Sequence, residues 1–160
     1  MKELKMYING KFVESRSGKW IDVLNPSTEV VTSRQPEGTI EDVNEALDAA
    51  RAAQREWAKK PAIERAQYLQ KIASGIRRCN DEFVEIIMRE QGKTRQWASV
   101  EVSVTADYFD YMATFARSIE GEVIPSDRRG ETIILTRRPI GVVAGILPWN
   151  FPFFLIARKA

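Results

Sequence analysis

The sequence predicts a mixed α/β fold, and three observations carry that prediction. Residues 1–38 read as short extended segments broken by turn residues, residues 39–119 carry apolar side chains at helical spacing, and residues 121–147 return to β-branched runs. The expected architecture is a β-hairpin, a helical bundle, an exposed β segment and the first strand of a parallel sheet.

The elements follow in order. In MYINGKFV, Asn9-Gly10 separates two apolar-rich flanks, and both residues tolerate the positive φ of a type I′ turn, so strands are expected near 5–8 and 11–14. WIDVLNP continues extended to Pro26, and EVVTSRQPEG is a further strand closed by Pro36 and Gly38. Thr39 then caps a helix, with Asp42 three residues on at the positive end of the helix dipole and Ala46, Leu47, Ala50, Ala53 and Trp57 at helical spacing. Pro61 suits the first turn of a second helix with Leu69, Ile72, Ala73 and Ile76 on its apolar face, and a third runs from about Asp81 to a stop at Gly92. Trp97, Val100, Val104, Tyr108, Tyr111, Phe115 and Ile119 recur at steps of three and four, which predicts a helix over 94–119 with this aromatic stripe in the core. After Gly121 come EVIP, a polar turn at 126–130, ETIILTRR and GVVAGIL.

Composition limits the function classes. The 24 basic and 22 acidic side chains leave a formal charge of +2, too small to imply a nucleic-acid partner. A single Cys allows no intrachain disulfide and, with no His, no Cys/His zinc site. No apolar run reaches the roughly 18 residues of a membrane helix, and MKELKMYING lacks a signal-peptide core, so a cytoplasmic protein is expected.

Four features could carry chemistry. Cys79 lies beside Arg77 and Arg78, which favour a thiolate, but with no His as partner base a structural thiol is the simpler reading. Glu120, Glu122, Asp127 and Glu131 match no metal or acid/base spacing and read as solvated loop carboxylates. Arg137 and Arg138 on a predicted strand read as charges protecting an exposed edge. In GVVAGILPWN, by contrast, the apolar run Val142 to Leu147 fits a strand buried on both faces, and ligands collect at the carboxyl ends of such strands. Trp149 offers a flat surface there, and the Asn150 amide has two N–H donors suited to an oxyanion, although by pattern alone a capped turn is the simpler reading.

ILPWNFP with a following Lys resembles a motif of the aldehyde dehydrogenase superfamily, and LNPSTEVV and EQGKT at 90–94 resemble further family landmarks at appropriate separations. The resemblance spans the chain; TADYFDYMATFAR, EGEVIPSDRRGE and PWNFPFFLIARKA are most similar to the bacterial lactaldehyde/glycolaldehyde branch. It implies the N-terminal part of that fold: hairpin and helices of the cofactor-binding domain at 1–120, an oligomerisation-type β segment at 121–139, and at 140–160 the first strand of an incomplete Rossmann-like sheet with the start of the next helix. In this family a Cys thiolate attacks the aldehyde, an Asn side chain helps hold the oxyanion, hydride passes to NAD, and a Glu-activated water releases the acid. Asn150 matches the oxyanion Asn, and Ile146, Leu147, Pro148 and Trp149 match the strand end that approaches the cofactor ribose. Arg158 stands at a substrate-tunnel position, where a cation suits a small polar hydroxyaldehyde or a carboxylate product, and Lys159 matches a Lys of the active-site region.

The family's nucleophilic Cys, general-base Glu and glycine-containing cofactor loop have no counterpart in these 160 residues, and Cys79 stands on the wrong side of the motif order. The expectation is therefore an N-terminal piece of an NAD-dependent aldehyde dehydrogenase, inactive in isolation. Two alternatives are a non-catalytic partner of a full-length relative, paired through 131–138, and one half of a split enzyme. The C-terminal fifteen or so residues are expected to lack a fixed partner and to promote association.

Overall fold

The computed structural model describes residues 2–160. β1 (Lys2–Glu3) precedes a hairpin of β2 (Met6–Ile8) and β3 (Lys11–Val13), whose turn residues Asn9 and Gly10 take φ of 51° and 75°. That double left-handed turn sets the antiparallel register Tyr7 against Phe12. β4 (Trp20–Leu24) and β5 (Val31–Pro36) pair antiparallel, and β1 joins β5 in parallel, giving the order β1-β5-β4. In the turn between β4 and β5, the Asn25 N–H donates to Val30 O at 2.9 Å and the Ser27 N–H donates to Asn25 Oδ1 at 2.9 Å.

The predicted cap at Thr39 forms. The Asp42 N–H donates to Thr39 Oγ1 at 3.2 Å and the Thr39 N–H donates to Asp42 Oδ2 at 2.9 Å, a reciprocal capping box that starts α1 (Ile40–Trp57). The Ser15 hydroxyl and the Arg16 N–H donate to the same carboxylate at 2.8 and 3.3 Å, so one buried Asp ties the loop after the hairpin to the helix start.

α2 (Ala62–Arg78), α3 (Asn80–Gln91) and α4 (Arg95–Thr114) form the main body, with α2 and α3 both packed on α4. The core contains Ala73, Ile76, Val84, Ile87, Ala98, Val102, Ala106 and Phe109. Two faces differ from the sequence reading. The aromatic stripe of α4 lies outside the core: Trp97, Val100, Val104, Tyr111, Phe115 and Ile119 are exposed and Tyr108 is half-buried. The buried face is instead Ala98, Glu101, Val102, Thr105, Ala106, Phe109 and Ala113. Small side chains let helix axes approach closely and gain dispersion contacts along their length, so at a crossing they displace a bulkier stripe. For the same reason α2 buries Ala66 and Ala73 and leaves Ile72 exposed. α4 also ends earlier than expected, passing at Phe115–Arg117 into a short 3-10 turn.

β6 (Glu122–Pro125) and β7 (Thr132–Leu135) form an exposed antiparallel hairpin. Arg137 and Arg138 fall beyond its end, not on a strand as predicted. The run Val142 to Leu147 makes no ladder; Val143 and Ile146 are 70% and 92% exposed, against the expectation of burial on both faces. A strand satisfies its backbone only through neighbours, and none of the described residues pairs with this run. A helix needs no neighbour for its backbone, and α5 (Pro152–Lys159) forms, with Pro152 in its first turn. It docks on the bundle: Ala157 is buried, and the rings of Phe153 and Phe154 lie 4.7 and 5.6 Å from those of Phe83 and Tyr108. The C-terminal residues therefore divide: α5 is docked, and the run Val142 to Leu147 has no ladder partner among the described residues.

Candidate functional site

The site is built where the end of α3, the face of α4 and the start of α5 meet. Gly92 closes α3 in the left-handed region at φ 64°, which turns the chain so that Lys93 points back under Pro148-Trp149-Asn150. Glu101, on the buried face of α4, has no exposed surface. Its Oε2 receives the Lys93 ammonium at 2.5 Å, and its Oε1 accepts the N–H groups of Phe153 and Phe154 at 2.9 and 3.4 Å. The first turn of α5 has no side-chain cap of its own, so this carboxylate from another helix satisfies two of its free donors.

Lys93 Nζ also donates to the Asn150 carbonyl at 2.7 Å and lies 4.1 Å from the centre of the Phe151 ring. Gln91 Nε2 donates to the Trp149 carbonyl at 2.8 Å. The turn is thus held by its backbone at two successive residues, while the Trp149 and Asn150 side chains face outward and Trp149 is 85% exposed. The Asn150 carboxamide makes no hydrogen bond among the described residues. With Leu24, Pro26 and Glu90, these residues line an open cleft of about 450 Å³. Burial pushes the Glu90 carboxyl above its ordinary value, with Lys2 acting weakly against it.

The other predicted residues spread around this centre. Ile146 is fully open to solvent, Leu147 is half-buried, and the backbone of Ile146, Leu147 and Pro148 enters no hydrogen bond among the described residues. Arg158 and Lys159 are exposed in the last turn of α5, where Lys159 packs its chain over Gly145. Arg158 stands about 9 Å along α5 from its Pro152 end. Cys79 sits at the junction of α2 and α3, and the length of α3 puts it roughly 18 Å from the Gly92 end. No group of three or more potential metal ligands occurs among the described residues, and no helix is long and apolar enough to cross a membrane.

Gln91, Lys93 and Glu101 received no role in the sequence reading. EQGKT stood only as a landmark. The available signal was Glu101 itself: a carboxylate in line with Ala98, Thr105 and Val102 on the small-residue face of an amphipathic helix.

Comparison with known proteins shows the family and the fold. Residues 12–160 match the aldehyde dehydrogenase family model. The chain is 59% identical over 154 residues to lactaldehyde dehydrogenase of Escherichia coli K12, covering 96% of this chain and 32% of that enzyme. The crystal structure of lactaldehyde dehydrogenase from Escherichia coli superposes with a TM-score of 0.95 at 58% identity, over 98% of this chain and 33% of that one. A structure of PnpE in complex with nicotinamide adenine dinucleotide gives 0.93 at 36% identity, over 98% and 32%. The chain spans about a third of the length of the relatives it matches. Family model, sequence identity and fold agree: the chain belongs to the aldehyde dehydrogenase family.

Proposed function

We propose that this chain supplies the oxyanion-holding arm and the cofactor-facing strand end for NAD-dependent oxidation of small aldehydes such as lactaldehyde or glycolaldehyde to acids. Residues 1–120 serve as scaffold, 121–139 as an association segment, and 140–160 as the reactive edge. The proposal includes a cytoplasmic location. One observation carries it: Asn150 has its backbone clamped by Lys93 while its carboxamide is exposed and free of partners among the described residues. A preorganised N–H donor of this kind stabilises negative charge that develops on an aldehyde oxygen under nucleophilic attack.

The nucleophile and the general base belong, in this reading, to sequence outside these 160 residues. Cys79 is excluded by its distance. The residues at 146–149 suit the proposed cofactor: the unengaged carbonyls of Ile146, Leu147 and Pro148 can accept from ribose hydroxyls, and the exposed Trp149 indole offers an apolar wall. Bound NAD supplies the hydride acceptor. Arg158 is assigned to the polar end of the substrate or to the carboxylate product, through a charge-assisted hydrogen bond.

The test joins residues 1–160 to the C-terminal two thirds of Escherichia coli lactaldehyde dehydrogenase. NADH formation from lactaldehyde or glycolaldehyde should appear in this chimaera and be absent from the isolated chain. Asn150→Ala in the chimaera should lower kcat by about 10²–10³-fold. Turnover by the isolated chain, or an Asn150→Ala loss below about tenfold, overturns the reading. A second reading, association with a full-length relative, is favoured by the β6–β7 hairpin, whose residues are all exposed and whose outer edges are free among the described residues. Co-purification of tagged chain with such a relative tests it.

A further inference from the structure

We infer that Gln91, Lys93 and Glu101 are positioning residues that fix the Asn150 carboxamide for catalysis, acting through the backbone on both sides of it. The inference rests on the assignment of Asn150 as oxyanion donor. Glu101 is the centre of the arrangement, because its two oxygens serve the two sides separately. Through Oε2 and the Lys93 ammonium it reaches the Asn150 carbonyl; through Oε1 it holds the Phe153 and Phe154 N–H groups at the start of α5. Gln91 adds a third restraint one residue earlier, at the Trp149 carbonyl.

The geometry goes beyond what helix docking requires. The aromatic contacts of Phe153 and Phe154 and the burial of Ala157 already seat α5 on the bundle. The bonds from Lys93 and Gln91 land on Asn150 and Trp149, which lie outside that helix and are both exposed. Two donors directed at successive carbonyls of an exposed turn remove its rocking freedom, and the side chain left free is the one with amide donors. Charge explains the choice of Lys93: its ammonium balances a carboxylate with no solvent exposure, so the clamp cannot leave without stranding a buried charge. The Phe151 ring, 4.1 Å from the ammonium, adds a cation–π contact one residue after Asn150. A displacement of about 1 Å in a reacting group can cost on the order of 10²-fold in rate, so such a clamp has kinetic consequences.

The test uses the active chimaera with Lys93→Met, Gln91→Ala and Asn150→Ala, singly and with each of the first two combined with the third. Positioning predicts that Lys93→Met lowers kcat by about 10–100-fold with KM changed less than about threefold. It predicts a smaller loss, about fivefold, for Gln91→Ala, which leaves the buried ion pair intact. In the Asn150→Ala background both substitutions should cost less than about twofold, because there is no amide left to position. Equal losses in both backgrounds show a structural role only and overturn the inference, as does a kcat within about twofold for both variants when Asn150→Ala itself costs 10²-fold or more. Should Lys93→Met fail to fold by circular dichroism, Gln91→Ala and its combination with Asn150→Ala decide alone. An Asn150→Ala enzyme with normal kcat removes the oxyanion assignment and this inference together, an outcome distinct from loss of the inference alone.

Discussion

Replacing Gly92 by Ala tests how tightly the loop beneath the site is built. Gly92 caps α3 at φ 64°, a region that costs a residue with a Cβ about 1–2 kcal/mol. A Cβ there would also stand 3.1 Å from Pro26 Cγ and 3.3 Å from Ser27 N, and well inside contact with Ser27 Oγ. The hydroxyl can rotate away, but Pro26 and the Ser27 N–H are fixed by the Asn25 turn, so the two loops must separate. Overpacking of this kind adds about 1–3 kcal/mol, for a total of roughly 2–5. Gly18 supplies the control: its φ is 65°, and nothing lies within 4 Å of an added Cβ. Urea unfolding of the 160-residue chain, followed by helical circular dichroism, should give Gly18→Ala a loss of about 1 kcal/mol and Gly92→Ala at least that much again. Pro26→Ala, which removes the fixed Cγ, should recover part of the Gly92→Ala loss, with a coupling of about 0.5 kcal/mol or more. Equal losses at the two glycines, with no coupling to Pro26, would refute the claim that the turn at 25–29 and the end of α3 are locked together.

Acid stability should depend on two carboxylates with opposite signs. The Thr39 N–H above all, with the Ser15 hydroxyl and the Arg16 N–H, holds Asp42 below its ordinary value of 3.8 against the opposing effect of burial. Its contribution is complete above that value and is lost as pH falls through the lowered one, so Asp42→Asn should flatten the acid limb of urea midpoints against pH. Burial instead raises Glu90 above 4.5, so its contribution is present below that value and is lost as pH rises through the raised one; Glu90→Gln should remove that decline. A steeper acid limb in Asp42→Asn would count against the capping network. On α4, Ala106→Leu should cost about 1–3 kcal/mol because Ala106 is wholly buried. Trp97→Gln, on the exposed stripe, should stay within about 0.5 kcal/mol by the same measurement, and the reverse order would refute the assignment of faces.

Much of the fold was legible because some residues determine local geometry by themselves. Asn9-Gly10 specifies a type I′ turn, Thr39 with Asp42 a helix start, and Gly92 a helix stop; each works through atoms within a few residues. The face of α4 was not legible on those grounds. The helix carries two stripes at helical spacing, one of bulky residues from Trp97 to Phe115 and one of mainly small residues from Ala98 to Ala113, and periodicity alone cannot choose between them. The choice depends on partners. α2, which packs on α4, buries Ala66 and Ala73 along with Ile76, so small side chains are buried on both helices.

The site divides along the same line. By pattern alone Pro148-Trp149-Asn150 reads as a capped turn, and the proposed oxyanion role of Asn150 comes from the family resemblance; nor do those residues place themselves. Their run, Val142 to Leu147, has no ladder to hold it, so the turn takes its position from elsewhere: Lys93 and Gln91 lie 57 and 58 residues from the carbonyls they hold, and Glu101 lies 52 from the first N–H it accepts. A charged residue on a helix reads by default as a solvated one, and only the small, buried neighbours of Glu101 contradict that default. Residue type at Asn150 and residue geometry at Asn150 are therefore set by different parts of the chain. If Asn150 has the proposed oxyanion role, substitutions at Gln91, Lys93 or Glu101 should resemble damage to the motif itself.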